Sequence, residues 1–200
     1  MEHMDNTQLD VLTEIGTIGA GNATTSLSVL LNSKLSMKIP KVSFMDFDDF
    51  VESIGGAENV IAGVMSNITG EIEGFVLFAM DIRDAHRLVN RLRGIELSKE
   101  EMFTDIDLSA VKEIGNILIS SYLSSIETLT GISIRPSNPM MSIDMAGAIL
   151  SFPAIVNSRE HDEVLRIESQ FEGEDLSIEG HIMMIADTES YMTIRTRLGI

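Results

Sequence analysis

Two sets of polar side chains recur at matching spacing: Asp10, Glu14, Thr17 and Gly21, then Ser109, Glu113, Asn116 and Ser120. Steps of four and three place each set along one face of a helix. The reactive groups on offer are carboxylates, hydroxyls and, at Asn116, an amide. Several other chemistries lack their parts. The chain has no cysteine, hence no thiolate nucleophile, no cysteine zinc site and no disulfide framework. His3, His86, His161 and His181 are scattered, with no two at ligand spacing, so no metal site is expected. No Gly-x-Ser-x-Gly context marks a nucleophile. Gly16-x-x-Gly19-x-Gly21 reverses the order of a dinucleotide fingerprint, follows no strand and precedes no Lys-Ser/Thr pair, which argues against phosphate binding there.

A Glu and an Asn three apart on an exposed helix are a common accident, but here the stripe is part of a longer repetition. Glu14-Ile15-Gly16-Thr17-Ile18 returns as Glu113-Ile114-Gly115-Asn116-Ile117, a shift of 99 positions from 14 to 113. The same shift carries Ser26 onto Ser125, Leu30 onto Leu129, Pro40 onto Pro139 and Ser43 onto Ser142. Later the shift grows to 106, from Gly74 to Gly180, and Asp81 lands on Asp187. An insertion in the second copy, in Asn157 to Glu163 or around Glu172 to Asp175, accounts for the change. A solvated helix face has no reason to repeat in type and position beside the buried one. Small neighbours, Gly16 with Gly21 and Gly115 with Ser120, would let another protein surface approach the stripe closely.

The elements that must carry these residues follow from periodicity. Leu12, Ile15, Ile18, Ala23, Leu27, Leu30 and Leu31 recur at helical spacing behind a Thr7-x-x-Asp10 start signal. Val111, Ile114, Ile117, Leu118 and Leu129 repeat the pattern behind Thr104-x-x-Asp107. Val60 to Met65 and Glu71 to Met80 read as strands joined through Asn67 to Gly70, and Asp81 to Arg93 as a helix stopped by Gly94. Gly94 to Asp107 reads as the linker between copies. Each copy, about 7–94 and about 104–200, has helix, strand, connecting segment, two strands and a closing helix or strand. That is too few strands to close a core, so the expectation is one α+β domain over 1–200: two pseudo-symmetric repeats, a pooled sheet and two long motif-bearing helices.

The formal charge of −17, from 31 acidic against 14 basic side chains, excludes a basic stripe for nucleic acid or anionic lipid. It serves solubility or steers a basic partner patch. The first residues are polar and acidic and no apolar run approaches the roughly 20 residues of a spanning helix. A cytoplasmic protein without membrane contact is expected. The thirteen methionines read as adaptable core filler.

The stripe resembles the mark of the CheC/CheX/FliY phosphatases of chemotaxis: an acidic residue or Ser, Glu four on, Asn three later, usually in Glu-Ile-Gly-Asn-Ile and usually twice. Ser109 with Glu113-Ile114-Gly115-Asn116-Ile117 matches it fully. Ile18-Gly19-Ala20-Gly21-Asn22-Ala23, Ile72-Glu73-Gly74, Ile143-Asp144-Met145 and Arg197-Leu198-Gly199-Ile200 extend the likeness, closest to the CheC branch, over essentially the whole chain. The resemblance implies a hydrolase acting on the aspartyl phosphate of a response regulator, CheY. It implies that Asn116 orients the attacking water while Glu113 pairs with the regulator's active-site lysine. No cofactor of its own is implied, because the Mg²⁺ belongs to the regulator. CheX tends to keep one motif and to dimerise, and FliY carries an added domain for which there is no room; because one chain here already holds two pseudo-symmetric halves, the shared sheet should be complete without a partner and a monomer is expected.

The first copy departs from the pattern: Thr17 stands where the family has Asn, and its short branched hydroxyl lacks the reach and paired geometry of an amide. Glu14 and Thr17 therefore form a degenerate first site that can dock a regulator with weak or absent hydrolysis. Asn22, eight positions beyond Glu14, lies off the stripe. The resemblance implies a second partner, the receptor deamidase CheD, docking on Pro139 to Ile149 with Asp144 central. A regulatory binding module with little catalysis is thus the alternative function, and a helix cap or plain exposed carboxylate the alternative for Asp144.

Overall fold

The structure, a computed structural model, describes residues 6–96, 102–157, 163–173 and 176–199. Seven elements run α1 (Asn6–Leu30), β1 (Ser36–Met37), β2 (Lys41–Asp46), α2 (Phe47–Ser53), β3 (Val60–Gly70), β4 (Gly74–Asp81) and α3 (Ile82–Arg93). Seven more follow in the same order of types: α4 (Asp105–Thr130), β5 (Ile134–Pro136), β6 (Met140–Met145), α5 (Ala146–Asn157), β7 (Glu163–Glu172), β8 (Ser177–Ala186) and α6 (Thr188–Leu198).

The eight strands form one antiparallel sheet in which the two halves exchange their short strands. β1 and β2 pair with β7, Val42 opposite Ile167, while β5 and β6 pair with β3, Val64 opposite Met141. The halves meet at β4 and β8, where Leu77 faces Met183. Neither half keeps its edge strands without the other, so the chain is a single α+β domain. Helices α1, α3, α4 and α6 cover one face of the sheet through Ile15, Leu27, Leu88, Val111, Leu118 and Ile194. On the other face α2 and α5 bring Phe50, Ile54, Ala146 and Leu150 against Ile61, Leu77, Met183 and Ile185. Covered on both sides, β4 is buried from Phe75 to Met80, as its unbroken apolar run requires. Among the described residues no helix is long and apolar enough to cross a membrane.

Local signals explain the helix ends. Asp81 caps α3 through the amide of Arg83, and Gly94 closes it in the left-handed region at φ 66°. Thr104 and Asp107 form a reciprocal capping box at the start of α4.

The expected turn at Asn67 to Gly70 is instead strand, extending β3 through pairing of Ile68, Thr69 and Gly70 with β5; the reversal lies at Glu71 to Glu73. A long-range partner overrides local turn chemistry there. The expected linker ends earlier, at the Thr104 cap, and its residues 97–101 lie outside the described residues. The connecting segments hold α2 and α5, whose apolar residues fill the second face. Part of the second copy's extra length is in α5, 12 residues against 7 for α2; the other proposed insertion points, 158–162 and 174–175, lie outside the described residues. Leu30 and Leu129, assigned to the buried stripes, are each 37% exposed, whereas Leu31 and Thr130, the next residue in each case, are buried.

Candidate functional site

The site is built on the two long helices, which pack side by side on the sheet. On α4 the inward side carries Val111, Ile114, Gly115, Leu118, Ile119 and Tyr122. Directly opposite, Ser109, Glu113 and Ser120 are exposed and Asn116 is half-buried. Ser109 donates its hydroxyl to the carbonyl of Asp105 at 2.8 Å. Among the described residues, neither the Glu113 carboxylate nor the Asn116 amide has a hydrogen-bond or ion-pair partner. Three residues of rise separate them by about 4.5 Å along the axis, on one side of the helix.

On α1, Asp10, Glu14, Thr17 and Gly21 are all exposed. The Thr17 hydroxyl donates to the Thr13 carbonyl one turn back, at 2.9 Å. Its one proton is engaged by its own helix. Among the described residues the second stripe thus presents an acid and an amide without partners, the first an acid without a partner and an engaged hydroxyl.

The glycines behave differently from the sequence reading. Gly16 and Gly115 are buried against the sheet and do not face a partner. A Cβ on Gly115 would lie 2.5 Å from Val64 Cβ, and one on Gly16 would lie 2.9 Å from Val42 Cγ2. Gly21 and Ser120 are exposed, with nothing within 4 Å of a Cβ at Gly21. Gly19 sets the approach of the two helices, since a Cβ there would lie 2.3 Å from the Tyr122 ring. The Tyr122 hydroxyl reaches through to Ser169 on β7 at 2.6 Å. Burial pushes its pKa up to about 12, and the Ser169 hydrogen bond offsets this only in part.

At the base of α4, Asp107 is 4% exposed and accepts from the Thr104 amide and hydroxyl, both at 2.6 Å, and from Arg93 Nε at 2.9 Å. Arg93 Nη2 closes a second, short contact with the same carboxylate. Burial alone would raise this carboxyl; the Thr104 hydrogen bonds and the Arg93 guanidinium outweigh it and hold the pKa below the usual value. The sequence shows this pair only as a helix start, because Arg93 reaches it from α3.

A profile of the CheC-like family matches residues 106–143, which include Ser109, Glu113 and Asn116. The chain is 30% identical over 196 residues to the CheY-P phosphatase CheC of Bacillus subtilis, covering 96% of this chain and 94% of that one. It belongs to the CheC-like family. The flagellar motor switch phosphatase FliY of Bacillus subtilis is 26% identical over 144 residues, 72% of this chain and 37% of its own length. In fold, the chain is similar to the crystal structure of Thermotoga maritima FliY, with a TM-score of 0.78 at 22% identity, over 100% of this chain and 98% of that one.

Within this CheC-like fold Asp144 stands on β6 at the border of the sheet, exposed and opposite Ile61 of β3. Its Oδ1 accepts from the next amide, Met145, at 2.7 Å. The other acidic grouping is Glu168, Glu179 and His181, whose ligand atoms lie within 4.8 Å of one another. Its charge is already answered: Glu168 is paired with Lys41 and Arg166, and Arg166 Nη2 donates to His181 Nδ1 at 3.3 Å. With Nδ1 an acceptor, the ring proton sits on Nε2, 3.4 Å from Glu179. Burial, then the Arg166 charge, lowers the His181 pKa to about 4, with Glu168 opposing. A cleft of ≈ 340 Å³ beside it is lined by Asn59, Asp81, Asp84, Glu179 and His181 among others, and by no stripe residue.

Proposed function

We propose that this chain hydrolyses the aspartyl phosphate of a chemotaxis response regulator of the CheY type, on the outer face of α4. The observation that carries the reading is the pair of unengaged groups, Glu113 and Asn116, held one turn apart on a helix anchored at its base and along its buried side. The CheC of Bacillus subtilis, with CheY-P phosphatase activity in its name, supports it.

In such a regulator the phosphoryl group already has a metal ion and a lysine beside it, so hydrolysis chiefly lacks a water in line with the breaking bond. A carboxamide can accept a hydrogen bond from that water and donate one to a neighbouring oxygen without being consumed. Asn116 takes this role, lowering the barrier by positioning. Glu113 pairs with the regulator's lysine and sets the register. Water attacks phosphorus, the aspartyl oxygen leaves as carboxylate, and no covalent bond to this chain forms. On α1, Glu14 can still dock a regulator, but Thr17 has spent its proton on Thr13 and is too short to hold the water, so that face is hydrolytically weak.

The test is phosphate release at saturating phosphorylated regulator. Asn116→Ala should lose roughly 3–5 kcal/mol of barrier lowering while the regulator still binds. Thr17→Ala should change little, and Thr17→Asn should raise turnover or rescue the Asn116→Ala protein. Full activity in Asn116→Ala overturns the assignment.

A second reading concerns the border strand. β6 pairs only with β3 among the described strands and exposes Met140 and Met145 (59% and 47%) beside Asp144. An open edge with apolar and acidic side chains suits a protein partner, and the resemblance names the deamidase CheD. Asp144→Lys should abolish CheD binding and leave phosphatase activity near wild type; loss of both would indicate misfolding.

A further inference from the structure

We infer that Gly115 is a positioning residue for this reaction: the absence of a side chain there lets α4 rest directly on Val64 of β3, and that seat sets where Asn116 stands. The inference rests on the reading of Asn116 given above. Gly115 is the residue before Asn116 and two after Glu113, on the opposite side of the helix. Its would-be Cβ meets three atoms of one side chain, Val64 Cβ at 2.5 Å, Cγ2 at 2.6 Å and Cγ1 at 2.8 Å. Val64 cannot yield easily. It is 0% exposed, β-branched, and its strand is hydrogen-bonded on both sides, to Phe78 of β4 and Met141 of β6.

The corresponding seat on α1 is looser. Gly16 meets Val42 Cγ2 at 2.9 Å and Pro40 Cβ at 3.3 Å, and Val42 is half-buried on β2, which among the described strands pairs only with β7. The helix carrying the free amide is thus the one held hard against an interior strand.

The size of the effect follows from the crowding. Ordinary contact begins at 3.4 Å, so a methyl at 115 demands about 0.9 Å of movement, and α4 has more freedom to give than a doubly paired strand. A misplacement near 1 Å at a catalytic group is worth on the order of 10²-fold in rate. Gly115→Ala should therefore slow the chemical step by about 10- to 100-fold.

The measurement is single-turnover dephosphorylation of a phosphorylated CheY-type regulator, with this chain in saturating excess, so that the rate constant is insensitive to the fraction folded. Adding Val64→Gly to Gly115→Ala removes all three crowding atoms and should restore most of the rate. Leu150→Ala is the control: Leu150 is 1% exposed on α5, in the cluster on the other face of the sheet from α4, so stability should fall and the rate constant should not. Should Gly115→Ala fail to fold, Val64→Ile enlarges the strand side of the same seat and should slow the reaction likewise. A wild-type rate in Gly115→Ala, or an equal loss in Leu150→Ala, overturns the inference. Failure of the wild-type chain to release phosphate would overturn the proposed function instead.

Discussion

Removing the Asp107 carboxylate should loosen the base of the motif helix, and the structure sets the scale. Asp107→Ala deletes one half of the capping box, worth about 1 kcal/mol, and the charge-assisted hydrogen bonds from Arg93, worth about 2 kcal/mol more. The total of roughly 3 kcal/mol stays at the low end for a broken buried pair because the Arg93 side chain is 26% exposed and water can take it up. With a urea dependence near 2 kcal/mol per molar, the unfolding midpoint should fall by about 1.5 M. Asp107→Asn, which keeps an acceptor for Thr104 but no charge, should fall between. The pH dependence has a definite sign. The folded-state pKa lies below the ordinary aspartate value of 3.8, so the stabilisation is complete above that value and is lost as pH falls through the lowered one. The gap between wild type and Asp107→Ala should be flat from neutral pH to about 4 and should narrow only below it. A gap under about 1 kcal/mol at neutral pH, or one that closes between pH 7 and 5, would refute the reasoning.

Other outcomes can be checked with ordinary measurements. His181 stays neutral in the fold with its pKa near 4 against 6.5 when free, so stability should be flat above pH 6.5 and decline by up to about 3 kcal/mol as pH drops to 4. Denaturation curves of His181→Gln should lack that component. Ile106 is 80% exposed and lies three residues before Ser109, on the arc that carries Glu113 and Asn116. Ile106→Asp should raise the regulator concentration needed for half-maximal rate and leave the saturated rate unchanged, the reverse of Asn116→Ala. Because the two halves already supply each other's edge strands, light scattering at micromolar concentration should give a monomer; a stable dimer would show that the sheet recruits a second chain.

What could be read from the sequence was whatever has a local or periodic signature. The helical spacing of Ile15, Ala23 and Leu27, the Thr104-x-x-Asp107 start and the Gly94 stop each describe a few neighbouring residues, and each has its counterpart in the structure. The stripes were legible for the same reason, and because they occur twice. Partners distant in sequence were not. Nothing near Thr69 announces that Arg135 lies opposite, so a turn-rich segment read as a turn although it is strand. Nothing near Asp107 announces Arg93, and nothing near Gly115 announces Val64. Small size at Gly115 was visible; whether it served a partner or the chain's own sheet was decided by which side of the helix faces inward.

The exchange of strands between the halves also bears on why the two stripes can carry different residues, Thr17 and Asn116, at matching positions. Ile15 packs against the sheet with 0% exposure, Gly16 against Val42 and Gly19 against Tyr122, so those α1 positions are tied to the shared core and constrained by both halves at once. Thr17 is exposed and bonded only to its own helix, which means that its identity can change without disturbing the sheet, the helix pair or the second site. Exposed surface positions of this kind usually alter stability by less than about 0.5 kcal/mol. Fold symmetry and chemical symmetry are therefore separable here: the first is enforced by packing, the second only by use. Thr17→Asn should accordingly leave the unfolding midpoint within that margin while changing turnover, and a large stability loss in that variant would mean that the Thr17 hydroxyl contributes to holding α1 together.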